Sequence, residues 1–226
     1  MSSVFTENQE KLLSLGFGFH GKPPKKSADP EQAIVDLLPS FFEDRKLFRM
    51  LLVWLDTVSD FIHIERLRPL SKNLSPNLKL VLGALSLKLT PKDRRWKLIS
   101  ERIKLELKDT KLDFNVPDEY KDPFLMKKHG QDKEFAEFGI RVATLAPENP
   151  KKIMTLRWIL QSNAWLRLRA VMGPNFRADT AYLFVTETAK GPAEAARILQ
   201  CARDTAYRNW RALEEAEVRS ILKLTA

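Results

Sequence analysis

The chain contains one cysteine, Cys201, among its 226 residues. An intrachain disulfide framework and a multi-cysteine metal site are therefore excluded. Histidine is nearly as scarce: His20, His63 and His129 lie far apart and in different local contexts. No H-E-x-x-H, C-x-x-C or G-x-S-x-G run is present, so the zinc-protease, thiol-redox and serine-hydrolase signatures are missing. There are only eight glycines, and three of them, Gly16, Gly18 and Gly21, fall in GFGFHGKPPKK at 16–26, a loop with two adjacent prolines. That loop lacks both G-x-G-x-x-G and G-x-x-x-x-G-K-[ST] spacing, which removes a phosphate-cradling role. No apolar run approaches the length of a membrane span; the most apolar stretch, Leu47–Leu55, is short and flanked by charge. The N-terminal residues lack a basic-then-apolar signal segment. These absences predict a cytoplasmic protein without membrane association.

What remains is a globular composition, 44% hydrophobic and 30% charged. Leu, Lys, Arg, Glu and Ala dominate and glycine is rare, which predicts an all-α fold. The formal charge of +9 is unevenly spread. Residues 1–75 carry 10 basic and 10 acidic groups, 76–106 carry 8 and 3, 107–150 carry 7 and 9, and 151–226 carry 13 and 7. Two basic blocks result, and a basic surface favours a polyanionic partner through counterion release.

Along the chain, residues 5–15 read as a short helix. Asp29-Pro30 reads as a helix start, with Asp29 as N-cap and Pro30 in the first turn, running to about Leu38. Phe41, Phe42, Leu47, Leu51, Trp54, Leu55 and Val58 recur at helical spacing after Pro39, and Phe61, Ile64 and Leu67 continue it over Asp60–Leu70. Asn77–Leu89 repeats the pattern, and Thr90-Pro91 reads as the next helix start. The helix after it carries Trp96, Ile99, Ile103 and Leu107 on one side and Arg94, Arg95, Lys97, Arg102 and Lys104 on the rest, a second candidate nucleic-acid surface that is read in preference as an ordinary solvated face. Ile140–Leu145 fits either a short strand or part of a helix, and APENP at 146–150 reads as a join between two parts of the chain.

Asp56, Asp60 and His63 fall at steps of four and three, with Glu65 nearby. Such a trio has the chemistry of a divalent-metal or acid–base site; beside Arg66 and Arg68 it equally makes ordinary ion pairs. The second reading is preferred. No catalytic residue, metal or cofactor is assigned, and the chain is read as a non-enzyme.

Residues 192–216, PAEAARILQCARDTAYRNWRALEEA, have the pattern of a helix-turn-helix. Ala196 is the small residue over which a second helix crosses, and Gln200-Cys201-Ala202 is the turn. Ala206, Trp210 and Leu213 follow at steps of four and three, on one face. Cys201 takes an apolar turn position and is expected to be buried and inert. Arg203, Asp204, Thr205, Tyr207, Arg208 and Arg211 are the candidate DNA-contacting residues of the second helix, suited to a major groove. Gln200 must adopt a left-handed backbone if the turn is standard, and Ala202 offers no side-chain cap. Asp204 in the first turn favours the positive helix end.

The spacing of Ala196, Leu199, Cys201, Ala206 and Trp210, with the following Leu213–Val218, resembles the helix-turn-helix of bacterial winged-helix transcription regulators. The resemblance covers about residues 165–226. It implies a first helix over 177–189, a wing strand over Val218–Leu224 in a truncated or minimal wing, and a DNA-binding domain spanning 150–226. Residues 1–149 would form a helical domain for dimerisation, partner binding or ligand sensing. The implied partners are double-stranded DNA and a second copy of the chain, and the implied function is sequence-specific transcription regulation. The alternative is a helical protein-interaction or antitoxin-like subunit without DNA readout.

Overall fold

A computed structural model describes residues 10–18, 27–108, 116–144 and 152–218. The fold is all-α: among the described residues there is no sheet, only two isolated bridges, Phe17 with Ile153 and Gln131 with Ala143. Residues 10–14 are helical, and the expected helix residues 5–9 lie outside the described residues, as do loop residues 19–26, the join at 146–150 and positions 219–224 of the expected wing strand.

Helix α1, Pro30–Leu37, starts where the sequence says it should: Asp29 accepts from the amides of Glu31 and Gln32. The apolar run after Pro39 is interrupted. α2 spans Ser40–Glu43 and α3 spans Arg45–Val58, because Asp44 leaves the helical conformation and caps α3 through the Leu47 amide. Leu51, Trp54, Leu55 and Val58 are fully or almost fully buried, which makes α3 the central helix of the larger core. The helix expected over Asp60–Leu70 is also broken. A short 3-10 turn covers Ser59–Phe61, Ile62 is extended, and α4 spans Ile64–Leu70 with Pro69 inside it.

Helix α5, Pro76–Leu89, is capped by Ser75 and carries Gly83 in its middle. A Cβ at Gly83 would sit 2.3 Å from the Phe138 ring, so the ring is seated directly on the helix backbone. Thr90 does not start the next helix. Its hydroxyl donates to the Ser86 carbonyl and it closes α5 instead, and Asp93 caps a 3-10 turn over Arg94–Trp96 that leads into α6, Lys97–Glu106. α6 packs along α5, burying Ile99 and Ile103. α7, Pro123–His129, and α8, Lys133–Ala136, follow, with α8 against α5. Ile140–Thr144 is irregular apart from the bridge at Ala143, neither strand nor helix.

The remaining helices are α9, Leu156–Ser162; α10, Ala164–Met172; α11, Phe176–Val185; α12, Pro192–Leu199; and α13, Arg203–Glu215. Two hydrophobic clusters result. The larger runs from Leu15 to Val142 and takes in Ile153, Ile159 and Leu166. The smaller is built from Trp165, Tyr182, Leu183, Phe184, Leu199, Trp210 and Leu213. Adjacent residues of α10, Trp165 and Leu166, thus face different clusters, which makes α10 the shared wall between them.

Candidate nucleic-acid interface

α11, α12 and α13 pack as three helices, with α13 lying across both α11 and α12. Every residue of α11 from Ala178 to Phe184 is buried, so this helix forms the spine of the unit. α12 ends in a closed turn. Gln200 has φ 51° and ψ 41°, its amide bonds back to the Ala196 and Arg197 carbonyls, and the Cys201 amide donates to the Ala196 carbonyl at 3.1 Å. This is the Schellman pattern, in which a left-handed residue satisfies the last carbonyls of a helix. Glycine would adopt that backbone without cost, whereas Gln200 carries a side chain into the left-handed region. The first helix of the unit stops at Val185, short of the expected 189, with Glu187 left-handed in the turn after it.

α13 begins at Arg203 with no side-chain cap from Ala202. Ala206, Trp210 and Leu213 are buried, as their spacing requires, and the Trp210 ring meets Phe184 edge-on at 5.0 Å. At about 3.6 residues per turn, Asp204, Arg208 and Arg211 lie opposite that buried edge. Arg203 and Tyr207 lie to one side of the outward line and Thr205 to the other. All are exposed except Thr205, which is half-buried. Arg211 donates through Nε to Glu215 at 2.8 Å, and the Trp210 indole donates to Glu214 at 2.9 Å. Positive charge is therefore concentrated in the N-terminal half of the helix. Cys201 is half-buried, more open than its apolar position suggested, and burial raises its thiol pKa.

Between this unit and the preceding helices lies a buried ionic cluster that the periodicity of the sequence did not reveal. Glu31 of α1 and Asp179 of α11 are completely buried. Arg169 of α10 bridges them. Its Nη1 and Nη2 donate to Glu31 at 2.6 and 2.7 Å, its Nε donates to Asp179 at 2.7 Å, and Nη1 also reaches the Phe61 carbonyl. Arg66 of α4, likewise buried, donates to Glu31 at 2.8 Å and pairs with Asp29. His63 Nδ1 lies 2.6 Å from Asp179, and the His63 amide donates to Glu31 at 2.9 Å. Both guanidinium groups stand over the Trp165 ring, with Cζ 4.7 and 5.5 Å from its centroid. Burial alone would push the Asp179 carboxyl up; the Arg169 charge, the His63 hydrogen bond and the Arg66 charge outweigh it and hold it to about 2. Arg169 loses stability as a cation through burial but regains more from Asp179 and Glu31, so its pKa is raised.

The cluster takes His63 out of the Asp56, Asp60 and His63 trio. These residues do not converge: Asp56 pairs with Lys92 at 2.6 Å, Asp60 is exposed, and His63 turns inward to Asp179. No group of three metal-competent side chains occurs among the described residues. Arg66, expected to serve a surface ion pair, is instead buried in the cluster.

Most of the second basic block faces carboxylates, and Arg94 is exposed. Lys88 pairs with Asp132, Arg95 with Asp93, Lys97 with Glu101, Lys104 with Glu137 and Lys79 with Glu106. Arg102 donates to the Arg68 carbonyl at 3.1 Å and faces Glu106. Among the described residues, no helix is long and apolar enough to cross a membrane. No protein-family model, curated protein or solved structure matches the chain.

Proposed function

We propose that this protein binds double-stranded DNA sequence-specifically through α13, as a cytoplasmic transcription regulator of the winged-helix type. The observation that carries the reading is the closed turn at Gln200. It fixes α13 across α12 and leaves Arg203, Tyr207, Arg208 and Arg211 exposed while Trp210 and Leu213 are buried. A helix anchored along one edge, with arginines along the opposite edge, matches the needs of a helix laid in the major groove. The reading extends to a homodimer, whose two recognition helices would meet two half-sites one helical turn apart. The helices up to α8 would then supply the dimer contact or sense a ligand.

Fluorescence anisotropy of the full chain against a randomised duplex pool, followed by the enriched duplexes, tests the reading. Arg208→Ala and Arg211→Ala should each weaken binding with the circular dichroism spectrum intact. Unchanged affinity in both variants would remove α13 from the interface.

The second reading, a helical protein-interaction subunit, is favoured by the charge balance of α13 itself. Its three arginines are matched by Asp204, Glu214 and Glu215. No enrichment of any duplex at low salt would select this reading.

A further inference from the structure

We propose that Arg208 is the base-reading side chain of α13 and that it selects a guanine, so that the target is a guanine-containing half-site. The inference rests on the DNA-binding reading and adds to it the residue and the base. Arg208 is the sixth residue of a thirteen-residue helix, within the half of a recognition helix that faces base edges. It is exposed and lies opposite the buried edge formed by Ala206, Trp210 and Leu213.

Its neighbours separate it from the other arginines. Arg211 is already committed to Glu215 through Nε, one of the atoms a bidentate contact would use. Arg203 stands at the helix start and to one side of the outward line. One turn beyond Arg208 is Ala212, exposed and short, which leaves the approach to the groove floor open. One turn before it is Asp204, exposed on the same outward line. A carboxylate there would be repelled by a phosphate, whereas the groove floor offers it the amino groups of cytosine and adenine. The line through Asp204 and Arg208 is therefore suited to base edges and unsuited to the backbone. On base edges, the planar guanidinium matches the O6 and N7 acceptors of guanine with two parallel bonds.

The test compares wild type with Arg208→Ala and Arg211→Ala on the selected duplex, on each single-base variant of it, and on duplexes carrying 7-deazaguanine. Wild type should prefer one guanine by roughly 5- to 150-fold. Arg208→Ala should lose that preference at that position alone and be insensitive to 7-deazaguanine there, while Arg211→Ala keeps the preference. An equal loss by Arg208→Ala on every sequence, with a reduced dependence on salt, would identify a phosphate contact and overturn the assignment while leaving DNA binding intact. Failure of wild type to bind any duplex would overturn the DNA reading and this assignment together. Both substitutions are at exposed positions, and a thermal melt confirms folding in each.

Discussion

His63 Nδ1 and Asp179 Oδ2 stand 2.6 Å apart although 116 residues separate them in the chain. The contact joins the segment leading into α4 to the spine of the three-helix unit. Around it, Glu31, Arg66 and Arg169 leave little buried charge unmatched, with Asp29 at the rim. Such a cluster gives the docking of the two cores a defined geometry, because apolar surfaces alone tolerate sliding and a bidentate ion pair does not. The desolvation of so many charges offsets much of their attraction, so the cluster contributes specificity more than net stability.

Removing one member should be far more harmful than the intact cluster is helpful. Arg169→Met leaves Glu31 and Asp179 buried without their shared cation, and a loss of roughly 3–5 kcal/mol is expected. Urea unfolding followed by tryptophan fluorescence measures it. A loss below about 1 kcal/mol would mean that the two carboxylates reach water once the guanidinium is gone.

Acid should expose the same cluster. The carboxyl of Asp179 is held to about 2, below its ordinary 3.8, so folding favours its ionised form. The stabilisation is complete above the unfolded value and is lost as pH falls through the folded one. Between pH 4 and pH 2, wild type should lose stability more steeply than Asp179→Asn, although the variant is less stable at neutral pH. Parallel curves over that interval would show that Asp179 ionisation does not drive the loss.

Gly83→Ala gains up to about 1 kcal/mol in helix propensity, yet a net loss is expected. The new methyl would fall 2.3 Å from Phe138, and overpacking of this kind costs roughly 1–3 kcal/mol. Adding Phe138→Leu should recover part of the loss by making room. A more stable single variant in a thermal melt would show that the ring moves aside freely.

Trp210 anchors α13 against Phe184, and Trp210→Ala should destabilise the fold by roughly 3–5 kcal/mol through the cavity it leaves. Calorimetry should show a lowered or separate transition for the three-helix unit. An unshifted melt would mean that the unit closes around the missing ring.

The largely paired basic block on α5, α6 and the 3-10 turn between them should not contribute to DNA affinity. In the triple variant Arg94→Ala, Arg95→Ala, Arg102→Ala, the slope of log affinity against log salt should match wild type. A slope shallower by one or more would mean that α6 contributes phosphate contacts.

The all-α class, the cap at Asp29 and the buried edge of α13 were legible in the sequence. Each depends on residues within a few positions of one another. A step of three or four fixes which side chains share a face, and an aspartate before a proline fixes where amides need an acceptor. The left-handed turn at Gln200 was expected only through the helix-turn-helix resemblance, since the residue itself gives no local sign of it. Competing local bonds decided the misplaced helix starts: Asp44 left the helical conformation within an apolar run, and Thr90 bonded backwards to Ser86 rather than forwards.

The ionic cluster was decided only by the tertiary structure. Glu31 lies 138 residues from Arg169, and in the sequence Arg66 and His63 look like any charged residues on a helix surface. Their roles depend on which helix faces arrive together, and periodicity tells which face is apolar but not which partner covers it. Lys79, Lys88 and Lys104 show the same dependence in reverse, basic residues that folding matches with carboxylates distant in sequence. Charge, unlike burial, is assigned its meaning by partners, and only the folded chain brings the partners within reach.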